Sequence, residues 1–233
     1  LELFEMTCRD EGVWTGPGDE AWAEHIGDAL AGEPSECVDF ALAMARRDRD
    51  AGHITQVEEA VARSYRLRDG FASVVLMVGL PGSGKSTIVA RHFEDHELIS
   101  LDEIRAERGS RSNQANNAQV LRIATERLKE ALRRKRKVVW DATSLRVDFR
   151  RRIADLCRDY GALLTCVRVH CPLQVLDERD RRRTDAVPRS ARRRLLDAVQ
   201  WPELDEAHRS LDLDHEGRLL RSVGVTDEAP YGV

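Results

Sequence analysis

The chain has 233 residues, enough for one α/β domain with a smaller companion and too many for a minimal binding module. A third of the residues are charged, 5% are aromatic, and no apolar run approaches the ~18 residues of a membrane span, so a membrane partner is excluded and a cytoplasmic, helix-rich protein is expected. Residues 1–70 carry −9 and the remainder +5 within a total of −4, which suits either a polyanion-facing second half or arginine runs, such as Arg133–Lys137 and Arg192–Arg194, that are simply solvated helix faces.

The chain opens on Leu1 and an acidic segment, unlike a signal peptide. A start without Met suggests a piece of a longer protein, with room for an upstream catalytic domain. Residues 1–70 form one predicted region and 71–233 the other. In the first, helical spacing predicts helices over Glu20–Leu30, Ser35–Arg49 and Thr55–Leu67, with Ser35 and Thr55 as N-cap candidates. His25 and His53 stand alone there, with no His-Asp pair to hold a metal.

From Ala72 the texture changes. Ser73–Gly79 is a short β-branched apolar run, as a buried parallel strand requires, and Glu97–Ser100, Lys137–Asp141 and Leu163–His170 are further strand candidates. Helical stretches separate them: Lys85–Phe93, Asn117–Arg134, Arg146–Tyr160, Leu173–Arg182 and Arg189–Val199. This alternation predicts an α/β fold, a parallel sheet with helices on both faces. A late hairpin is expected around His215-Glu216-Gly217. The five cysteines lack zinc-site spacing, and Cys157 and Cys166 read as buried thiols.

The sharpest motif is Gly79-Leu-Pro81-Gly82-Ser83-Gly84-Lys85-Ser86-Thr87. It fits G-x-x-x-x-G-K-[ST] between a strand and a helix, the phosphate-binding loop (P-loop) of nucleotide-binding proteins. Glycines let backbone amides turn inward onto phosphate oxygens, and the helix N-terminus adds positive charge there. Lys85 is suited to the β- and γ-phosphates and the Ser86 hydroxyl to Mg²⁺. Asp102, two residues past the second strand, is either a base for an attacking hydroxyl or an N-cap, and Arg105 one turn on suits an acceptor phosphate. Asp141 ends the third strand in the Walker B manner, oriented toward Mg²⁺, and Thr143 follows where it can bond the loop. The segment Glu178–Pro188 carries Arg179, Arg182 and Arg183 and reads as a lid over the triphosphate.

The ordered set of P-loop, Ser100-x-Asp102-x-x-Arg105, Trp140-Asp141-Ala-Thr143 and a lid ending in Ala186-Val187-Pro188 resembles the kinase domain of polynucleotide 5′-hydroxyl kinases, of the phage type and of bacterial RNA end-healing enzymes. The resemblance spans Val74 to Val199 and implies an adenylate-kinase-like P-loop fold, ATP as donor, Mg²⁺, and a nucleic acid with a 5′-hydroxyl end as acceptor. It makes Lys85 and Ser86 phosphate and metal contacts, Asp102 the general base and Arg105 the ligand of the 3′-phosphate. For the lid arginine on the γ-phosphate it selects Arg183 when aligned from Arg179, and Arg182 when aligned back from Pro188; Arg183 is the choice made here. Where the family often has Asn, this chain has Ser144. Asn113, Gln114 and Asn117 are candidate nucleic-acid contacts. Asp212-Leu-Asp214 looks superficially like a haloacid-type phosphatase motif, a reading rejected because 19 residues follow it. Two other readings stand beside this one: a P-loop kinase of a small-molecule hydroxyl, and a non-catalytic nucleotide-binding module.

Overall fold

The computed structural model describes residues 19–107, 117–182 and 189–224. The chain divides into two compact units, Leu1–Asp69 and Gly70–Val233, each with its own core. No helix among the described residues is long and apolar enough to cross a membrane.

The first unit contains α1 (Asp19–Ala29), α2 (Ser35–Asp50) and α3 (Val57–Ser64), which runs into a 3₁₀ turn, Tyr65–Leu67. Trp22, Ile26 and Ala29 of α1 and Cys37, Phe40, Ala41 and Ala45 of α2 are buried. Their spacing of three or four residues puts each set on one inward stripe. The caps differ from expectation. Ser35 is already the first residue of α2, behind Pro34, and makes no side-chain cap. At α3 the cap is Gln56, in a reciprocal box with Glu59, whose carboxylate also accepts the Thr55 amide at 2.7 Å. One glutamate at the third position accepts the amides of Thr55 and Gln56, while the Gln56 side chain takes the role expected of the hydroxyl. His53 is not solitary either: its Nδ1 lies 3.9 Å from Asp48, although no metal-sized cluster of His, Cys, Asp or Glu exists among the described residues.

The second unit runs β1 (Ser73–Val78), α4 (Lys85–His92), β2 (Glu97–Ser100), α5 (Leu101–Glu107), α6 (Asn117–Arg133), β3 (Lys137–Asp141), α7 (Val147–Tyr160), β4 (Leu163–His170), α8 (Leu173–Arg181), α9 (Arg189–Asp197), β5 (Arg209–Asp214) and β6 (Leu219–Gly224). The strands form one sheet in the order β2-β3-β1-β4-β5-β6. The first five are parallel, and β6 returns antiparallel at the edge as the expected hairpin.

β1 is central and buried on both faces, which is why its sequence is apolar without alternation. Val74, Leu76 and Val78 pack with Trp140, Leu164 and Cys166 under Ile104, Leu128, Ile153 and Leu176 of four helices. Val75 and Met77 pack on the other side with Val139, Val167 and Leu211, against Ile88 and Val89 of α4. Helices therefore cover both faces. Cys157 and Cys166 sit inside the first of these cores, where burial pushes both thiols up to about 12 and leaves them unreactive.

Among the buried cations not foreseen is Arg150 on α7, which is 2% exposed and makes a two-pronged pair with Glu206 at 2.6 and 2.8 Å. The same guanidinium donates to the carbonyls of Ser144 and Gln200, joining the loop after β3 to the segment that enters β5.

Candidate phosphate-transfer site

β1 lies between β3 and β4, and the chain crosses from β3 on one side of it to β4 on the other, so a crevice opens beyond the carboxyl end of β1. Strand register brings the candidate residues to that edge: Ser100 lies opposite Asp141, and Leu76 lies between Trp140 and Cys166. The register continues past the strand ends, where the Gly79 amide donates to the Thr143 carbonyl at 3.1 Å. Thr143 thus bonds the loop through its backbone.

Steric crowding explains two of the loop glycines. A Cβ on Gly79 would lie 2.9 Å from Ser83 Oγ and 3.2 Å from the Val169 carbonyl. Gly84 has φ of 108° and lies against the β5–β6 turn, where a Cβ would come within 2.8 Å of the His215 carbonyl. α4 starts immediately after it with no acidic residue in its first turn, so its free amides and dipole favour an anion. Lys85 is buried, and its Nζ donates to the carbonyls of Gly79 and Leu80, both at 2.9 Å, which holds the amine across the loop.

Ser86, on the first turn of α4, donates its hydroxyl to Asp141 Oδ2 at 3.4 Å. Burial pushes the Asp141 carboxyl above its ordinary value, and the charges of Asp102 and Glu103 push the same way, while Lys85 and the Ser86 hydroxyl pull against them. A half-buried carboxylate beside one hydroxyl oxygen fits a magnesium ion that keeps several waters and uses few protein ligands.

Asp102 and Arg105 stand together on α5 as an i,i+3 ion pair, the carboxylate 74% exposed and the guanidinium 21%. Arg105 Nε also donates to Asn117 Oδ1 at 3.2 Å, at the start of α6. Asp102 is not the N-cap: Ser100 accepts the Glu103 amide on its hydroxyl at 3.4 Å and takes that position. Ser100, two residues before Asp102, is in register with Asp141, so both carboxylates belong to the same end of the sheet.

Arg179 on α8 reaches the loop directly, donating to the Gly82 carbonyl at 3.0 Å and to the His215 carbonyl at 3.2 Å. Beside it opens a cleft of about 480 Å³ lined by Thr87, Ile88, Arg91, Arg179, His215 and Glu216. Arg182 is exposed at the end of α8, and its amide closes the helix on the Arg179 carbonyl. Arg183, Ala186–Pro188, Asn113 and Gln114 lie outside the described residues. Pro81, Gly82 and Ser83 complete the loop, the Ser83 amide donating to the Leu80 carbonyl at 3.1 Å.

Sequence reasoning missed the β5–β6 turn as part of this site. Asp214 shapes it: its side chain accepts the amides of Glu216 at 2.9 Å and Arg218 at 3.0 Å. Although burial pushes its carboxyl up, the Arg218 guanidinium and these amides hold it at about 2. The signal available was Gly217 closing an Asp-led turn, which predicts a hairpin but not what the hairpin touches. Asp212 is equally structural, paired with Arg168 and His170 at 2.7 Å each, so the Asp-x-Asp pair is committed to the fold.

Compared with known families, residues 74–202 match the family described as AAA domain, more than half of the chain. The chain belongs to the AAA domain family. The AAA domain match starts on β1 and ends ahead of β5, so the turn that touches Gly84 lies beyond it. Among solved structures, the AAA domain chain resembles a protein from Chloroflexus aurantiacus provisionally described as a kinase, at 17% identity and TM-score 0.50 over 62% of this chain and 88% of that one. It also resembles a gluconokinase from Sinorhizobium meliloti, at 21% identity and TM-score 0.47 over 64% and 85% of the two chains. A chain of the Pnkp1/Rnl/Hen1 RNA repair complex matches at 21% identity and TM-score 0.49, over 56% of this chain and only 44% of that one. At 17% identity the first of these likenesses describes the fold alone. No curated protein matches the chain.

Proposed function

We propose that this chain transfers the γ-phosphoryl group of ATP, with Mg²⁺, to the 5′-hydroxyl end of RNA or DNA, as a nucleic-acid end-healing kinase. The observation that carries this reading is the Asp102–Arg105 pair at the same sheet edge as the P-loop, with the carboxylate open to an acceptor.

In this reading the P-loop amides from Gly79 to Thr87 and the Lys85 amine hold the triphosphate. The cleft beside Arg179 takes the nucleoside. Ser86 and Asp141 hold Mg²⁺, which when bound neutralises charge on the phosphate oxygens. Asp102 accepts the proton of the 5′-hydroxyl as its oxygen bonds the γ-phosphorus, the bond to the β–γ bridging oxygen breaks, and ADP leaves. Arg105 presents N–H donors to the phosphate on the 3′ side of the terminal nucleotide, a planar fork suited to that anion. An arginine of the Glu178–Pro188 segment, Arg183 in the family pattern, acts on the γ-phosphate. Residues 71–233 are the transferase domain, and 1–70 a helical region.

Replacing Asp102 with Ala tests the assignment. Transfer is expected to fall by roughly 10²–10⁴-fold, the usual share of a general base, while calorimetric binding of an ATP analogue stays unchanged. Loss of nucleotide binding, or unchanged transfer, contradicts the role given to Asp102.

One observation favours a second reading, a small-molecule hydroxyl as acceptor. Many of the cations that suggested a polyanion are compensated by neighbours: Arg134 by Glu130 at 2.7 Å, Arg127 by Glu107 at 2.8 Å, Lys137 by Asp95 at 3.2 Å. A panel of sugars and nucleosides under the same transfer conditions separates the two acceptor classes.

A further inference from the structure

We infer that Arg192 is a positioning residue for the phosphate loop, acting through Arg179. The inference rests on the P-loop holding a triphosphate but not on which acceptor receives the phosphoryl group.

Arg192, read in sequence as one of three solvated arginines, is the exception among them. Its side chain is 8% exposed, against 81% for Arg193. From α9 its guanidinium pairs with two carboxylates of α8, Asp180 at 2.6 Å and Asp177. Burying a guanidinium is unfavourable unless its donors are met, and here two acids on one helical face meet them. The carboxylates need the cation equally. Asp177 and Asp180 stand three residues apart on adjoining turns, and Asp180 is itself largely buried, so without Arg192 they repel each other.

Between those two acids in sequence stands Arg179, which ends on the Gly82 carbonyl of the loop and the His215 carbonyl of the β5–β6 turn. The last turn of α8 therefore carries two sets of contacts, one fixed by α9 and the other fixing the loop. Arg179 meets both carbonyls only when that turn is held in place, and the Arg192 pair is what joins it to α9.

A double-mutant cycle on the full chain tests this, with calorimetric Kd for a non-hydrolysable ATP analogue and the melting temperature as separate readouts. Arg192→Ala is expected to weaken binding about tenfold, within the range of coupled neighbours. Arg179→Ala and the Arg179→Ala/Arg192→Ala double variant are expected to bind alike. Arg192→Lys, which can meet one carboxylate but not both in a fork, is expected to restore part of the affinity. Arg193→Ala is expected to bind as wild type. Where Arg192→Ala fails to fold, Asp177→Asn in wild-type and Arg179→Ala backgrounds carries the same comparison. Wild-type affinity in Arg192→Ala with a lowered melting temperature overturns the inference, leaving a purely structural pair. Additive effects of the two arginines also overturn it. A wild-type chain that binds no nucleotide removes the P-loop reading itself, and this inference with it.

Discussion

At Asp141 the proposed function and the stability of the fold pull in opposite directions. Burial raises this carboxyl, so its ionised form is disfavoured in the folded chain relative to the unfolded one. The sign follows from linkage. Stability is least affected below the ordinary carboxylate value, where the group is protonated in both states, and falls as pH rises through the raised folded value. Asp141→Asn is therefore expected to raise the melting temperature at neutral pH, to give no such gain in acid, and to abolish transfer. Melting scans across pH beside transfer assays check this, and a variant less stable at neutral pH would refute it. Ser144 offers a second residue-scale test. It sits at φ 48° with its hydroxyl buried and without a hydrogen-bond partner, a conformation that costs a side chain but not glycine. Ser144→Gly is expected to stabilise the chain by about 1 kcal/mol in denaturant melts, the low end of what a left-handed non-glycine residue costs. The Arg150 contact survives, because it uses the Ser144 carbonyl.

Among the elements, the contacts that hold the site together are long-range in sequence. Arg150 binds Glu206 and two carbonyls while almost fully buried, and removing it leaves a carboxylate and two acceptors unmatched. Arg150→Ala is expected to cost about 3–5 kcal/mol in denaturant melts, the usual penalty for breaking a buried pair from one side; a loss below about 1 kcal/mol would place it with surface pairs. Strands and helices were legible because their signals are local. The run Ser73–Val78 and the Asp at the end of β3 announce themselves within a few residues, and the P-loop motif marks the turn between β1 and α4. The seating of the β5–β6 turn on Gly84 was not legible, since His215 contributes a backbone carbonyl that any residue type supplies. The caps of α2 and α3 were misjudged for a related reason: neighbouring residues compete for the N-cap position, and Pro34 and Gln56 occupy it in place of Ser35 and Thr55.

Across the whole molecule, formal charge proved a poor guide to surface chemistry. In the second region, with its formal +5, Lys129, Arg134 and Arg158 pair with acids close by in sequence, and Arg192 is buried between two carboxylates. If a polynucleotide is the acceptor, its contacts are few and concentrated near Arg105 and Asn117. Transfer to an oligonucleotide is therefore expected to show a shallow salt dependence, with a log–log slope of magnitude about 1–2 rather than the 6–10 of proteins that follow a long phosphate track. Rates measured against salt concentration check this, and a steep slope would point to an extended basic surface instead. The central claim concerns the hydroxyl that receives the phosphoryl group. The most direct measurement incubates the chain with γ-labelled ATP, Mg²⁺ and matched 5′-hydroxyl RNA and DNA oligonucleotides, beside 5′-phosphorylated controls. Label on the hydroxyl ends alone, and none with Asp102→Ala, is the predicted result. No label on any oligonucleotide from a chain that binds ATP would contradict it and leave a small-molecule hydroxyl as the acceptor to seek.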